Sequence, residues 1–191
     1  MTGTVFRPLF SVFNVLALVL LGLAALALRA VQQPPATPNA PLLAQTGQQN
    51  VRVTLYFSDA QVRGYVRQTR EVVARQEGAV ALAQAALNGW AAGPSAPEGA
   101  AQKPLAAVPR GSAVPTVMLR GEHFVVNLPA SYAQLNYGVS GERMLLCSLT
   151  RTLLEQRGKD VMFLLAGKNV STLLGHADLH GPYAREDCSD E

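Results

Sequence analysis

The sequence predicts an α+β domain, with a compact, mainly antiparallel sheet and two helices on one face, in the order ββαββαββ behind an N-terminal apolar helix. Three observations carry this reading. Val51, Val53, Leu55 and Phe57 alternate with Arg52, Thr54 and Tyr56, the period of a strand with one buried face. Two stretches, Ala79 to Ala92 and Ser140 to Arg157, repeat apolar residues at helical spacing instead. Pro8 to Leu28 holds no charged residue.

That first stretch is apolar all round, which no single-striped helix on a soluble core would be. At 21 residues it is long enough on paper for a membrane crossing, which needs roughly 20. Arg7 before it points to an N-terminus inside, leaving everything after Arg29 outside the cytoplasm. The expectation for residues 1–30 is therefore a single-pass signal anchor in a bacterial cytoplasmic membrane. Ala25-Leu26-Ala27 and Leu28-Arg29-Ala30 keep open a cleaved signal peptide and a secreted product. Residues 31–50, with Pro34, Pro35, Pro38 and Pro41 among Gln, Ala, Thr and Asn, read as a linker, and 51–191 is the length of one domain.

Within the domain, Val51, Val53, Leu55 and Phe57 define the first strand and Ser58-Asp59-Ala60 turns the chain. A more polar second strand runs from about Gly64 to Val73. Val80, Ala83, Ala86, Leu87 and Trp90 form the stripe of the first helix, which Gly93-Pro94 ends. Pro94 to Ser112 is a long loop. Val114 to Leu119 and His123 to Leu128 make a hairpin at Arg120-Gly121-Glu122. Ser140 is the expected N-cap of the second helix, Glu142 lies in its positive first turn, and Leu145, Leu149 and Leu153 are its buried stripe. Val161 to Ala166 and Val170 to Leu174 are the last two strands, joined at Gly167-Lys168-Asn169.

The net charge of +3 is small, and the bases are mostly arginines, grouped only at Arg63, Arg67, Arg70 and Arg75. No zinc-finger spacing and no basic motif interleaved with aromatics points to nucleic acid. Cys147 and Cys188 would share an oxidising compartment, where a disulfide, a buried thiol and a free thiol all remain open. His176-Ala177-Asp178-Leu179-His180 is a loose pattern for a metal site, which wants three or four ligands. Gly-x-Ser-x-Gly and the phosphate-loop patterns are absent, so neither a serine nucleophile nor nucleotide use has a sequence basis, and no cofactor is expected.

Several segments together resemble the GerMN domain of sporulation and spore germination proteins. They are Val53 to Phe57, Leu87-Asn88-Gly89-Trp90-Ala91-Ala92-Gly93-Pro94, Val108-Pro109-Arg110-Gly111, and above all Phe163 to Leu179 with Gly181-Pro182 and Arg185. The resemblance covers nearly all of 51–191. It implies a membrane-tethered or lipoprotein module outside the cytoplasmic membrane that works in protein assemblies and has no catalytic residues. It also implies structural roles for Gly93, Pro94, Gly167, Lys168, Gly175, His176, Asp178, Pro182 and Arg185. The chain departs from the family in having no cysteine directly after the apolar segment, which excludes a lipoprotein anchor, and the pathway does not carry over.

The expectation is thus a non-enzymatic scaffold in the cell envelope, bound to another envelope protein or to itself. The expected contact surface is a second apolar strip on the later helix, made by Met144, Cys147 and Leu154. One alternative is a binding module for wall glycan or anionic lipid through the arginine group. Another is a small metal-dependent hydrolase.

Overall fold

The alternation seen in sequence sets the burial of each strand. In the computed structural model, which describes residues 12–32, 49–75, 77–95 and 103–190, β1 (Gln49–Ser58) turns Val53, Leu55 and Phe57 inward. It pairs antiparallel with β2 (Tyr65–Ala74) along its whole length. A second sheet has the order β3 (Thr116–Arg120), β4 (His123–Leu128), β5 (Asp160–Leu165). Gly121, at φ +63°, makes the expected tight turn between β3 and β4.

Two helices complete the core. α2 (Ala79–Ala91) packs against β1, β2 and β3, while α3 (Val139–Leu154) packs against β1, β5 and α2. Trp90, Leu87, Leu145, Leu149 and Leu153 are fully buried between them and the sheets, each worth about 1.5–3 kcal/mol in removed apolar surface. The Trp90 indole donates to Ser148 Oγ at 3.0 Å, so its polar atom is satisfied inside the core. Val80, expected in the α2 stripe, is instead exposed, because it sits in the first turn beyond the reach of the sheet.

Several expectations need correction. The sheet is mixed and split in two, because α3 carries the chain back to the starting end and β5 therefore pairs parallel with β4. The N-cap of α3 is Gly138 with no side-chain bond, two residues before Ser140, and the helix ends at Leu154 rather than Arg157, which has φ +69°. Val170 to Leu174 is not a strand. The N–H groups of Leu173 and Leu174 donate to the Glu142 carboxyl, not to a ladder, and the observed order is ββαββαβ.

The N-terminal unit, Met1–Gln45, is separate from the domain, Thr46–Glu191. Its helix α1 (Val12–Gln32) exposes leucines and valines on every side. The anchor expected from Pro8 to Leu28 is not borne out: among the described residues no helix is long and apolar enough to cross a membrane. The helix begins at Val12, and with Asn14 near its start and Arg29 near its end the uninterrupted apolar run is Val15 to Leu28. That run is about 21 Å long against a hydrocarbon core of ~30 Å. Pro8 to Ser11 and most of the linker, 33–48, lie outside the described residues.

Two predictions follow from this packing. Gly158, between α3 and β5, sits so close to Phe124 that an added Cβ would overlap the ring. Gly158→Ala is expected to lower stability by about 1–3 kcal/mol in urea unfolding. A neutral result would show that the Phe124 ring moves aside freely. Burial of Tyr132, with a smaller effect of Tyr137, pushes its phenol from 10.0 up to about 12. The unfolded chain therefore loses this proton first, and stability falls as pH rises from about 10 towards 12. Tyr132→Phe should shrink that fall, and an unchanged alkaline profile would contradict the assignment.

Candidate interaction surfaces

α3 organises the C-terminal third through residues one turn apart. Glu142 is completely buried, and its Oε1 accepts from the N–H groups of Leu173 at 3.1 Å and Leu174 at 2.8 Å, while Oε2 accepts from His176 N–H at 3.0 Å. Gly175, at φ +98°, lets the backbone turn between these donors. Arg143, Cys147 and Arg151 then recur at i, i+4 and i+8 along one face. Arg143 donates to Asp187 O at 3.3 Å, and Arg151 Nε donates to Cys188 O at 2.6 Å. Cys147 and Cys188 form a disulfide with Cα atoms 5.2 Å apart, closing a loop of sequence separation 41; the chain-entropy estimate for such a loop is ~4 kcal/mol.

The family-motif residues are placed within this clasp and the turns around it. The Gly93 carbonyl, just past α2, accepts from Arg70 at 2.8 Å, and Pro94 follows it. Gly167 N–H donates to Asn127 Oδ1, and Lys168 exchanges backbone bonds with Leu165. Asp178 accepts from His180 through its carboxylate and from the Tyr183 hydroxyl through its carbonyl. Pro182 precedes Tyr183, whose backbone pairs with Val161 and whose ring stands edge-on to Phe163. Arg185 reaches Glu155 Oε1 at 3.4 Å, the atom to which the Tyr56 hydroxyl donates.

The strip expected to dock a partner is covered. Met144, Cys147 and Leu154 are all buried: Cys147 lies under the tail through its disulfide, and Met144 faces Leu105, Ala106 and Ala107 of the long loop across a small cavity. The arginine group is also dispersed. Arg70 points inward, over the Phe57 ring at 5.3 Å, and burial lowers its pKa, while Arg67 on β2 and Arg63 and Arg75 just beyond its two ends are exposed. His180 Nδ1 meets Asp178 Oδ1 at 2.7 Å, and the bonds of His180 hold that carboxyl below its usual range. Among the described residues no cluster of three or more His, Cys, Asp or Glu side chains could hold a metal ion.

Two surface features were missed in the sequence. A groove of about 540 Å³ runs between the end of β2 and the start of α2, reaching Leu119 of β3. The outer face of the β3–β4–β5 sheet is ordered in cross-strand rows: Arg120, His123, Asp160; then Met118, Val125, Met162; then Thr116, Asn127, Leu164. Met118 is 49% exposed. The available signal was the all-apolar run Val161 to Leu165, which leaves the outward-facing positions apolar as well as the buried ones.

A family model described as sporulation and spore germination (Germane) matches residues 54–171. Among solved structures, the chain is similar to a protein described as a lipoprotein of Clostridium perfringens, with TM-score 0.50 and 20% identity over 72% of this chain and 89% of that one. It is also similar to the tandem GerMN domains of the sporulation protein GerM from Bacillus subtilis, with TM-score 0.51 and 19% identity over 73% of this chain and 48% of that one. At these identities the likeness is one of fold, and the present chain spans about half of the tandem protein. Among curated proteins none matches.

The clasp yields a test. Glu142→Ala leaves three N–H groups without their acceptor and is expected to cost ~3 kcal/mol. Amide exchange at Leu173, Leu174 and His176 should accelerate selectively while the β1–β2 ladder stays protected. Unchanged exchange at those three amides would show that the tail is held without the carboxyl.

Proposed function

The chain belongs to the sporulation and spore germination (Germane) family, whose model spans residues 54–171, and on that footing we propose that it is an exported, non-enzymatic module of the bacterial cell envelope that acts through protein contacts. The observation that carries the reading is the Cys147–Cys188 disulfide, with both cysteines buried. Disulfides form and persist in oxidising compartments outside the cytoplasm. Of the residues that sequence singled out for chemistry, His180 is paired with Asp178 at 2.7 Å, while His176 is tied to Glu142 through its backbone N–H and leaves its ring exposed; His123 is likewise paired, with Asp160 at 2.8 Å.

Export is assigned to the N-terminal helix. Its apolar run, Val15 to Leu28, is 14 residues by position, inside the range of about 7–15 typical of a secretory h-region. Small residues at Ala25, Ala27 and Ala30 suit a signal peptidase. The contact role rests on the family and on the outer apolar row of the second sheet, where Met118 is exposed and Val125 and Met162 are half-buried. Arg63, Arg67 and Arg75, spread over β2 and the residues just beyond its ends, with Arg70 turned inward, give glycan or anionic-lipid binding little concentrated charge.

A reporter that is active only outside the cytoplasm, fused after Glu191, should be active. The recovered chain should begin near Leu28 or Val31 and carry the Cys147–Cys188 bond. An inactive fusion, or two free thiols in freshly isolated protein, would overturn the localisation.

A further inference from the structure

We infer that the outer face of the β3–β4–β5 sheet docks onto the same face of a second copy, a proposal that rests on the interaction-module reading and names its partner. The face is unusual for its pairing. β4 and β5 are parallel, and parallel strands are ordinarily covered on both sides. Here α2 and α3 account for one side only, where Val117, Phe124, Val126, Val161 and Phe163 are buried. On the other side the central row is Met118, Val125 and Met162, flexible thioethers around a β-branched residue.

The second copy is singled out by charge. The row beside the apolar one runs from a cation to an anion: Arg120 on β3, His123 on β4, Asp160 on β5. When two such faces meet about a two-fold axis parallel to the strands, β3 of one copy lies over β5 of the other and β4 over β4. Met118 then meets Met162, Val125 meets Val125, and Arg120 meets Asp160, twice over by symmetry. Asp160 is already bonded through both oxygens to His123 Nδ1, at 2.8 and 2.9 Å. Its free lone pairs remain available to an incoming guanidinium. Strands aligned this way are one of the two standard modes of sheet packing.

The size of the face sets the strength. Three strands by five residues cover about 14 by 17 Å, well below the ~800 Å² that each partner contributes to a stable interface. Association is therefore weak and depends on local concentration in the envelope.

The test is sedimentation velocity of the exported protein, without detergent, from about 10 µM to 1 mM, with circular dichroism to confirm folding. The wild-type chain should shift from monomer to dimer across that range. Arg120→Glu alone and Asp160→Arg alone each place like charges opposite one another, and each should weaken dimerisation about tenfold. An equimolar mixture of the two variants restores both attractive pairs and should dimerise as well as wild type. Met118→Glu should abolish association in every combination. A wild-type chain that stays monomeric at 1 mM, or a mixture no better than its components, would overturn the proposal. Specific crosslinking of such a monomeric chain to a different envelope protein would leave the interaction-module reading standing, whereas absence of any crosslinked partner would remove both.

Discussion

The buried carboxyl of Glu142 is the constraint on which the C-terminal third depends. Three donors within four residues of a segment outside any strand or helix, Leu173, Leu174 and His176, all find their acceptor in this one side chain. Such N–H groups, if orphaned in the interior, would each cost about as much as a lost hydrogen bond or more. Placing the acceptor in the first turn of α3 ties an irregular tail to the most buried helix in the domain. The disulfide at Cys147, five residues further along the helix, then fixes the end of the same tail. The two devices are complementary: one satisfies the polar backbone of the segment, and the other limits how far it wanders when opened.

How much of this was legible follows from the range of each interaction. The hairpin at Gly121, the strand alternation of β1 and β4 and the α2 stripe from Ala83 to Trp90 rest on neighbours within a few residues, and sequence periodicity reports such neighbours directly. Glu142 was read for its place near a helix dipole, a local property, while its actual partners lie 31 to 34 positions away. No local pattern encodes that distance. Val170 to Leu174 looked like a returning strand because its residues have the right composition, but the competing acceptor on α3 took its donors. The strip of Met144, Cys147 and Leu154 failed for a related reason: helical spacing shows which residues share a face, not whether a distant loop or tail covers it.

The parallel pairing of β4 with β5 follows from the placement of α3 between them. A hairpin would have returned the chain antiparallel, whereas sixteen residues of helix carry it back to the end where β4 began. The run Val161 to Leu165 is then apolar at inward and outward positions alike, as in strands covered on both faces. The sequence signal and the topology agree with each other, and both ask for more cover than the two helices supply.

A module that works by contact must expose something specific, and several of the strand edges here are taken. The N–H of Tyr56 in β1 donates to Thr152 Oγ1 on α3. Gln84 of α2 bridges the outer edge of β3, accepting from Val117 N–H and donating to the Pro115 carbonyl. Tyr183 pairs with β5 at Val161. Faces therefore matter more than edges, and the two sheets offer different ones. The outer face of β1 and β2 sets polar residues opposite one another, Arg52 with Glu71, Thr54 with Thr69 and Tyr56 with Arg67; the first pair meets at 3.8 Å, and the Tyr56 hydroxyl is taken by Glu155. The outer face of β3 to β5 sets an apolar row beside a charged one, and the ends of its charged row, Arg120 and Asp160, sit on opposite strands with His123 between. Charges separated in that way across a flat apolar surface are only half used by the monomer, and the same alternation that buries one side of each strand determines what the other side has left to offer.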